Sequence, residues 1–193
     1  VREIDLQTGD SVQLKLSSPP NGHTESNYIV QRHYGISGDG QKIPMTIVHH
    51  RDVTPSEHSP VLLTGYGAYG MSLTPGFSAS RRILLTRGLI HVTAHVRGGM
   101  ENGYQWYRSG RMANKDRSFD DLISAAETLI RDSWTSAGNI ILHGGSAGGL
   151  LVGTTVMRRP ELFRGVIADV PFVDVLETML DADLPLTPPE WPE

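Results

Sequence analysis

The sequence predicts an α/β protein built on a mostly parallel β-sheet with helices on both faces. Three observations carry that reading. After Pro60, strand and helix patterns alternate four strands to three helices, the order of parallel βαβ units. The strand patterns there are nearly continuous apolar or β-branched runs, such as LIHVTAHV at 89–96, as expected when both faces are covered. Finally, the glycine-rich segment GGSAGG at 144–149 falls at a strand-to-helix junction. Before Pro60 two antiparallel hairpin patterns stand apart, as an added edge or a different domain.

Residues 1–16 alternate in polarity on both sides of QTGD, the signal of a β-hairpin. SSPPNGHTES, residues 17–26, has two prolines and no periodicity and reads as a linker or domain boundary. NYIVQRHYGI and KIPMTIVHH, joined by SGDGQ, form the second hairpin pattern. VLLT at 61–64 is a short buried strand, and GYGAYG at 65–70 is a glycine loop. SASRRILLTRG reads as a helix with Ser at its start and Gly88 just past its end. The polar and aromatic stretch 97–116 reads as a long loop. Ser118 with Asp121 three residues later reads as a capping box, followed by Phe119, Leu122, Ile123, Ala126, Leu129 and Ile130 at helical spacing. NIILH is a strand, LLVGTTVM a helix stopped by Arg158-Arg159-Pro160, and GVIADV a further strand. The chain opens inside a β pattern and closes on PPEWPE, so it reads as a segment of a longer polypeptide.

Composition narrows the function classes. With 193 residues the chain allows one domain, or one domain and part of another. A net charge of −4 and a pI near 6.1 give a general nucleic-acid role no electrostatic footing. No apolar run approaches the roughly 18–20 residues that span a bilayer, and the first residues lack the basic-then-apolar layout of a signal peptide. The absence of cysteine excludes thiol nucleophiles and disulfides and suits a reducing compartment, so a cytoplasmic location is expected.

Gly65, Gly67 and Gly70 make a G-x-G-x-x-G after a strand, the bare form of a dinucleotide loop. Its context fails. Pro75 and Gly76 delay the helix to about Ser78, and no carboxylate follows at the ribose position. Gly144-Gly145-Ser146-Ala147-Gly148 is a G-x-S-x-G between a strand and a helix, the context a nucleophile elbow demands. Small neighbours let Ser146 occupy a sharp turn, and Ala147 would open the helix with its N–H free for an oxyanion. The GYGAYG loop takes the place of the second oxyanion donor, where Tyr66 or Tyr69 could offer a phenolic O–H. Ordinary packing with the hydroxyl in water is expected for Tyr69. His91, His95 and His143 read as packed strand residues, and Arg97 as half of a structural salt bridge.

GYGAYG, HVRGGMENGYQWYRSGRMANKDRSFDDL, GGSAGGLLVG, RRPELFRGVIADVPFVDVLETMLD and PLTPPE together resemble the prolyl oligopeptidase family of serine peptidases, most closely its oligopeptidase B (protease II) branch. The resemblance runs from about Tyr28 to Glu190. It implies an α/β-hydrolase peptidase domain, here residues 27–193 in part, preceded by a β-propeller whose last hairpin and linker are residues 1–26. It further implies that Ser146 is the nucleophile, with Tyr66 and the Ala147 N–H as the oxyanion donors, and that short peptides are cut after Arg or Lys. Glu190 matches the first acidic residue that meets the cation; the second falls on Pro192, with Glu193 next to it. No metal or organic cofactor is implied.

A serine needs a histidine base and a carboxylate that orients it, in the chain order Ser, Asp, His. All eight histidines precede Ser146, so the triad Asp and His are expected beyond Glu193. Other acyl-transfer hydrolases of the same fold, and a non-catalytic binding protein, remain alternatives at this point.

Overall fold

The computed structural model describes residues 1–15, 25–185 and 187–193. β1 (Arg2–Ile4) and β2 (Ser11–Gln13) form a separate two-stranded antiparallel sheet, exposed along its length. The turn between them is held by Asp5, whose carboxylate accepts from the Gln7 and Thr8 N–H groups. Most of the linker expected at 17–26 lies outside the described residues; Glu25–Asn27 forms a 3-10 turn.

The main sheet has six strands: β3 (Tyr28–Ile36), β4 (Lys42–His50), β5 (Val61–Thr64), β6 (Ile90–Ala94), β7 (Ile140–Gly145) and β8 (Phe163–Asp169). Their spatial order is β3-β4-β6-β5-β7-β8. β5, β6, β7 and β8 run parallel, while β4 pairs antiparallel with both β3 and β6. The second hairpin is therefore an added edge of the main sheet, which settles the choice its sequence left open.

The expected helices appear as α1 (Ala79–Leu85), α3 (Asp116–Arg131) and α4 (Ala147–Arg158). Ser78 caps α1 by accepting from the Arg81 N–H, and Gly88 follows its end at φ +89°. The loop expected at 97–116 instead carries α2 (Tyr104–Arg108) and a 3-10 turn, Met112–Asn114. Two further short helices, α5 (Val175–Leu180) and α6 (Thr187–Glu190), follow β8.

The core lies where β4–β7 meet α3 and α4. Met45, Ile47, Val61, Leu63, Val92, Ile140 and Leu142 are fully enclosed against Leu122, Ala126, Leu129, Leu151 and Val152. On α3 the apolar positions recur every three to four residues, so one stripe faces the sheet. Among the described residues no helix is long and apolar enough to cross a membrane.

The capping box is corrected. α3 begins at Asp116, so Ser118 and Asp121 lie inside it. Ser118 Oγ donates to the Arg97 and Gly110 carbonyls, and Asp121 is the partner of Arg97. That pair is buried: Arg97 is 2% and Asp121 0% exposed, with Arg97 Nη2 2.6 Å from Asp121 Oδ1. The Arg97 N–H also donates to Asp121 Oδ2 at 2.9 Å, and Asp39 takes the other guanidinium nitrogen at 2.5 Å. Burial works against the Arg97 charge, but hydrogen bonds to Asp121 and Asp39 more than offset it and raise its pKa. Arg97 is the structural salt bridge its position suggested.

Candidate active site

β7 ends and α4 begins at a single residue, Ser146, which has φ +53° and ψ −119°. A non-glycine residue in that region is strained by about 1–3 kcal/mol. The surroundings over-determine it. The Ser146 N–H donates to Asp169 O on β8, and its carbonyl accepts from both Gly149 N and Phe172 N, all at 2.8–2.9 Å. Close approach explains the flanking glycines. A Cβ on Gly144 would stand 2.2 Å from Gly148 O, and one on Gly149 would stand 2.5 Å from Pro171. The side chain of Ser146 is left exposed, while Ala147 behind it is buried.

The Ala147 N–H is in the first turn of α4, where N–H groups have no partner inside the helix. The GYGAYG loop lies against this turn. A Cβ on Gly148 would meet Gly65 O at 2.9 Å and the Tyr66 ring at 3.3 Å. Tyr66 is half-buried, and burial raises its phenol above the ordinary value, with Glu190 and Glu193 adding to the effect. It stays a neutral O–H donor through the physiological range. An exposed hydroxyl is able to attack a carbonyl carbon, and a free helix N–H or a neutral phenol is able to donate to the oxygen of such a carbonyl.

Tyr69 departs from the expectation. It sits at φ +57°; its hydroxyl is not left to water but donates to Glu190 Oε2 at 3.0 Å, and its N–H donates to Glu193 Oε2 at 2.9 Å. Burial and the Glu190 bond push its phenol up. Tyr107 donates to the other Glu193 oxygen. Glu190, Glu193 and Lys115, with Ala68, Leu150 and Phe172, line a cavity of about 300 Å³ that reaches Ala147 at the elbow. Glu193 therefore has both carboxylate oxygens engaged, whereas among the described residues the Glu190 carboxylate accepts only from Tyr69. No local sequence signal foretells these bonds, which join residues more than eighty positions apart.

The histidines are structural in their contacts. His91 and His95 are buried and hydrogen-bond to Thr64 and Thr46. Burial, aided by Arg81 and His143, pushes His91 down to about 3. His143 Nε2 lies 2.9 Å from Asp169 Oδ2, and among the described residues no histidine hydrogen-bonds to the Ser146 hydroxyl. No grouping of metal-ligating side chains occurs among the described residues.

A mostly parallel sheet with a strained serine between strand and helix defines the α/β-hydrolase fold. The sequence profile of the prolyl oligopeptidase family matches residues 75–193, more than half of the chain. The chain belongs to the prolyl oligopeptidase family. It is 40% identical over 192 residues to dipeptidyl aminopeptidase BI of Pseudoxanthomonas mexicana, covering 99% of this chain and 26% of that protein. It is 41% identical to protease 2 of Moraxella lacunata, over 98% of this chain and 28% of that protein. Oligopeptidase B from Leishmania major superposes with a TM-score of 0.93 at 39% identity, covering 100% of this chain and 27% of that one. The chain thus spans about a quarter of the length of the relatives it matches.

Proposed function

We propose that the complete protein is a serine oligopeptidase that cleaves short peptides after Arg or Lys. The observation that carries this reading is Ser146: an exposed hydroxyl on a strained, fully hydrogen-bonded turn, beside a cavity that holds Glu190. Ser146 Oγ gives its proton to the base and attacks the scissile carbonyl; the C–N bond breaks as the base protonates the departing amine, and water then hydrolyses the acyl-enzyme to the free acid and Ser146. The Tyr66 O–H and Ala147 N–H receive the negative charge that develops on the carbonyl oxygen. A His and an Asp beyond Glu193 supply the base and its orienting acid. Glu190 meets the substrate cation in a charge-assisted hydrogen bond, and Tyr69 holds its carboxylate. Residues 1–26 are the close of a preceding β-propeller and its linker, and residues 27–193 the first part of the peptidase domain.

Labelling of the complete protein with a fluorophosphonate tests the nucleophile: an adduct on Ser146 is expected, and a folded protein that stays unlabelled sinks the reading. Ser146→Ala should lower kcat on the order of 10⁶-fold. Glu190→Gln should raise KM for a substrate with Arg before the cleaved bond by about 10- to 100-fold, the worth of a hydrogen bond to a charged group, while a neutral analogue is unaffected. The relative named dipeptidyl aminopeptidase BI supports a second reading, release of dipeptides from a free N-terminus. An N-blocked peptide amide separates the two, because only the endopeptidase cuts it.

A further inference from the structure

Gly67 follows Tyr66 directly and has φ +70°. A glycine there is a pivot, since it can rotate with little steric cost. The structure locks the pivot through its carbonyl. The Lys115 ammonium donates to Gly67 O at 2.7 Å. From another side Gly98 approaches so closely that a Cβ on it would stand 2.0 Å from the same oxygen. Gly70 N, at the end of the loop, donates to Gly98 O at 3.0 Å.

Lys115 is well placed to act as a fixed post. It sits where the 3-10 turn Met112–Asn114 passes into α3, its own N–H bonded to Met112 O and its carbonyl accepting from Ser118 N. Desolvating an ammonium is costly, and burial lowers the Lys115 pKa, with Glu193 opposing the shift. The cost does not go into an ion pair. Among the described residues Lys115 has no carboxylate within 4.0 Å, although Glu190 and Glu193 line the same cavity. Among the described residues the hydrogen bond of its ammonium goes to the backbone of the loop that carries Tyr66.

We propose that Lys115 is a positioning residue for Tyr66: by holding the Gly67 carbonyl it fixes the course of the loop and keeps the phenol over the elbow. The inference rests on the reading of Tyr66 as an oxyanion donor. Lys115 itself does not touch the substrate carbonyl in this scheme. Its loss frees the glycine pivot and blurs the donor position, a fault felt in the transition state more than in substrate binding.

The test uses the complete protein, with active sites titrated by a fluorophosphonate so that only folded enzyme is counted. Tyr66→Phe, Lys115→Met and the double variant are compared on a peptide amide and with a peptide aldehyde, whose adduct places an oxygen at the oxyanion position. Tyr66→Phe should lower kcat by about 10²- to 10³-fold. Lys115→Met should lower it by about 10- to 100-fold, with KM shifted less than about 3-fold and aldehyde affinity weakened in parallel. The double variant should be no worse than Tyr66→Phe alone. Full kcat in Lys115→Met with a real loss in Tyr66→Phe overturns the Lys115 role and leaves the oxyanion reading standing. A Tyr66→Phe enzyme with unchanged kcat and aldehyde affinity overturns both. Losses that multiply in the double variant show that Lys115 acts elsewhere. If Lys115→Met folds poorly, Lys115→Gln decides: it keeps a donor, so its loss should be smaller and lie in kcat, and a loss confined to KM rejects the proposal.

Discussion

The middle of the sheet and the segment after β8 are built on different physics. In β5 and β7 the residues Val61, Leu63, Ile140 and Leu142 are all 0% exposed, so the platform under Ser146 is held by packing. After β8, Val170, Leu176 and Leu180 are 86%, 72% and 76% exposed. Polar straps hold that segment: Thr187 donates to Thr178 O, Trp191 to Met179 O, and Tyr69 to Glu190. Close-packed interiors tolerate little displacement, whereas a few hydrogen bonds can be exchanged at modest cost. Ser146 therefore stands on the rigid part, and the Glu190 side of the cavity stands on the adaptable part; under the proposed function the nucleophile is fixed and the specificity wall can adjust.

The sharpest break of this contrast is expected at the buried ion pair that ties the 97–110 loop to α3. Arg97→Met leaves Asp121 as an uncompensated charge in the interior and should cost about 3–5 kcal/mol, read by urea denaturation of the complete protein. Next comes the packed platform: Leu142→Ala should cost about 2–5 kcal/mol. Leu180→Ala on the strapped side should stay within about 0.5 kcal/mol; a larger loss would show that another part of the complete protein covers α5.

A pH effect follows from the same platform. His91 is held near a pKa of about 3 when folded, against about 6.5 when unfolded. The unfolded chain thus binds the extra proton between those values. The His91 contribution is intact above pH 6.5 and is lost as the pH falls toward 3, on the order of 1.4 kcal/mol per unit. His91→Leu should flatten that acid limb in a plot of melting temperature against pH. One substitution is expected to be a gain. Ser146→Gly relieves the strained turn and should stabilise by about 1 kcal/mol while removing fluorophosphonate labelling.

Much of the fold was legible because it is local. The strand at 140–145 and the helix after Ser146 follow from apolar runs and glycine punctuation within a dozen residues. What was misread depends on distance. Asp121 stands three residues after Ser118, and that spacing looks the same whether the carboxylate caps a helix or meets Arg97, 24 positions away. Tyr69 and Glu190 are 121 positions apart, so nothing near either residue tells of their bond. α5 and α6 are a turn or two long, too short for a periodic pattern to stand out.

One detail of the elbow reaches further. Ser146 has both of its main-chain polar groups engaged, its carbonyl twice over, so its peptide has no alternative orientation to relax into. All three of those hydrogen bonds are made by the chain's own backbone. Deuterium uptake at the Ser146 and Phe172 amides should consequently be as slow in the empty protein as in one blocked by a covalent inhibitor.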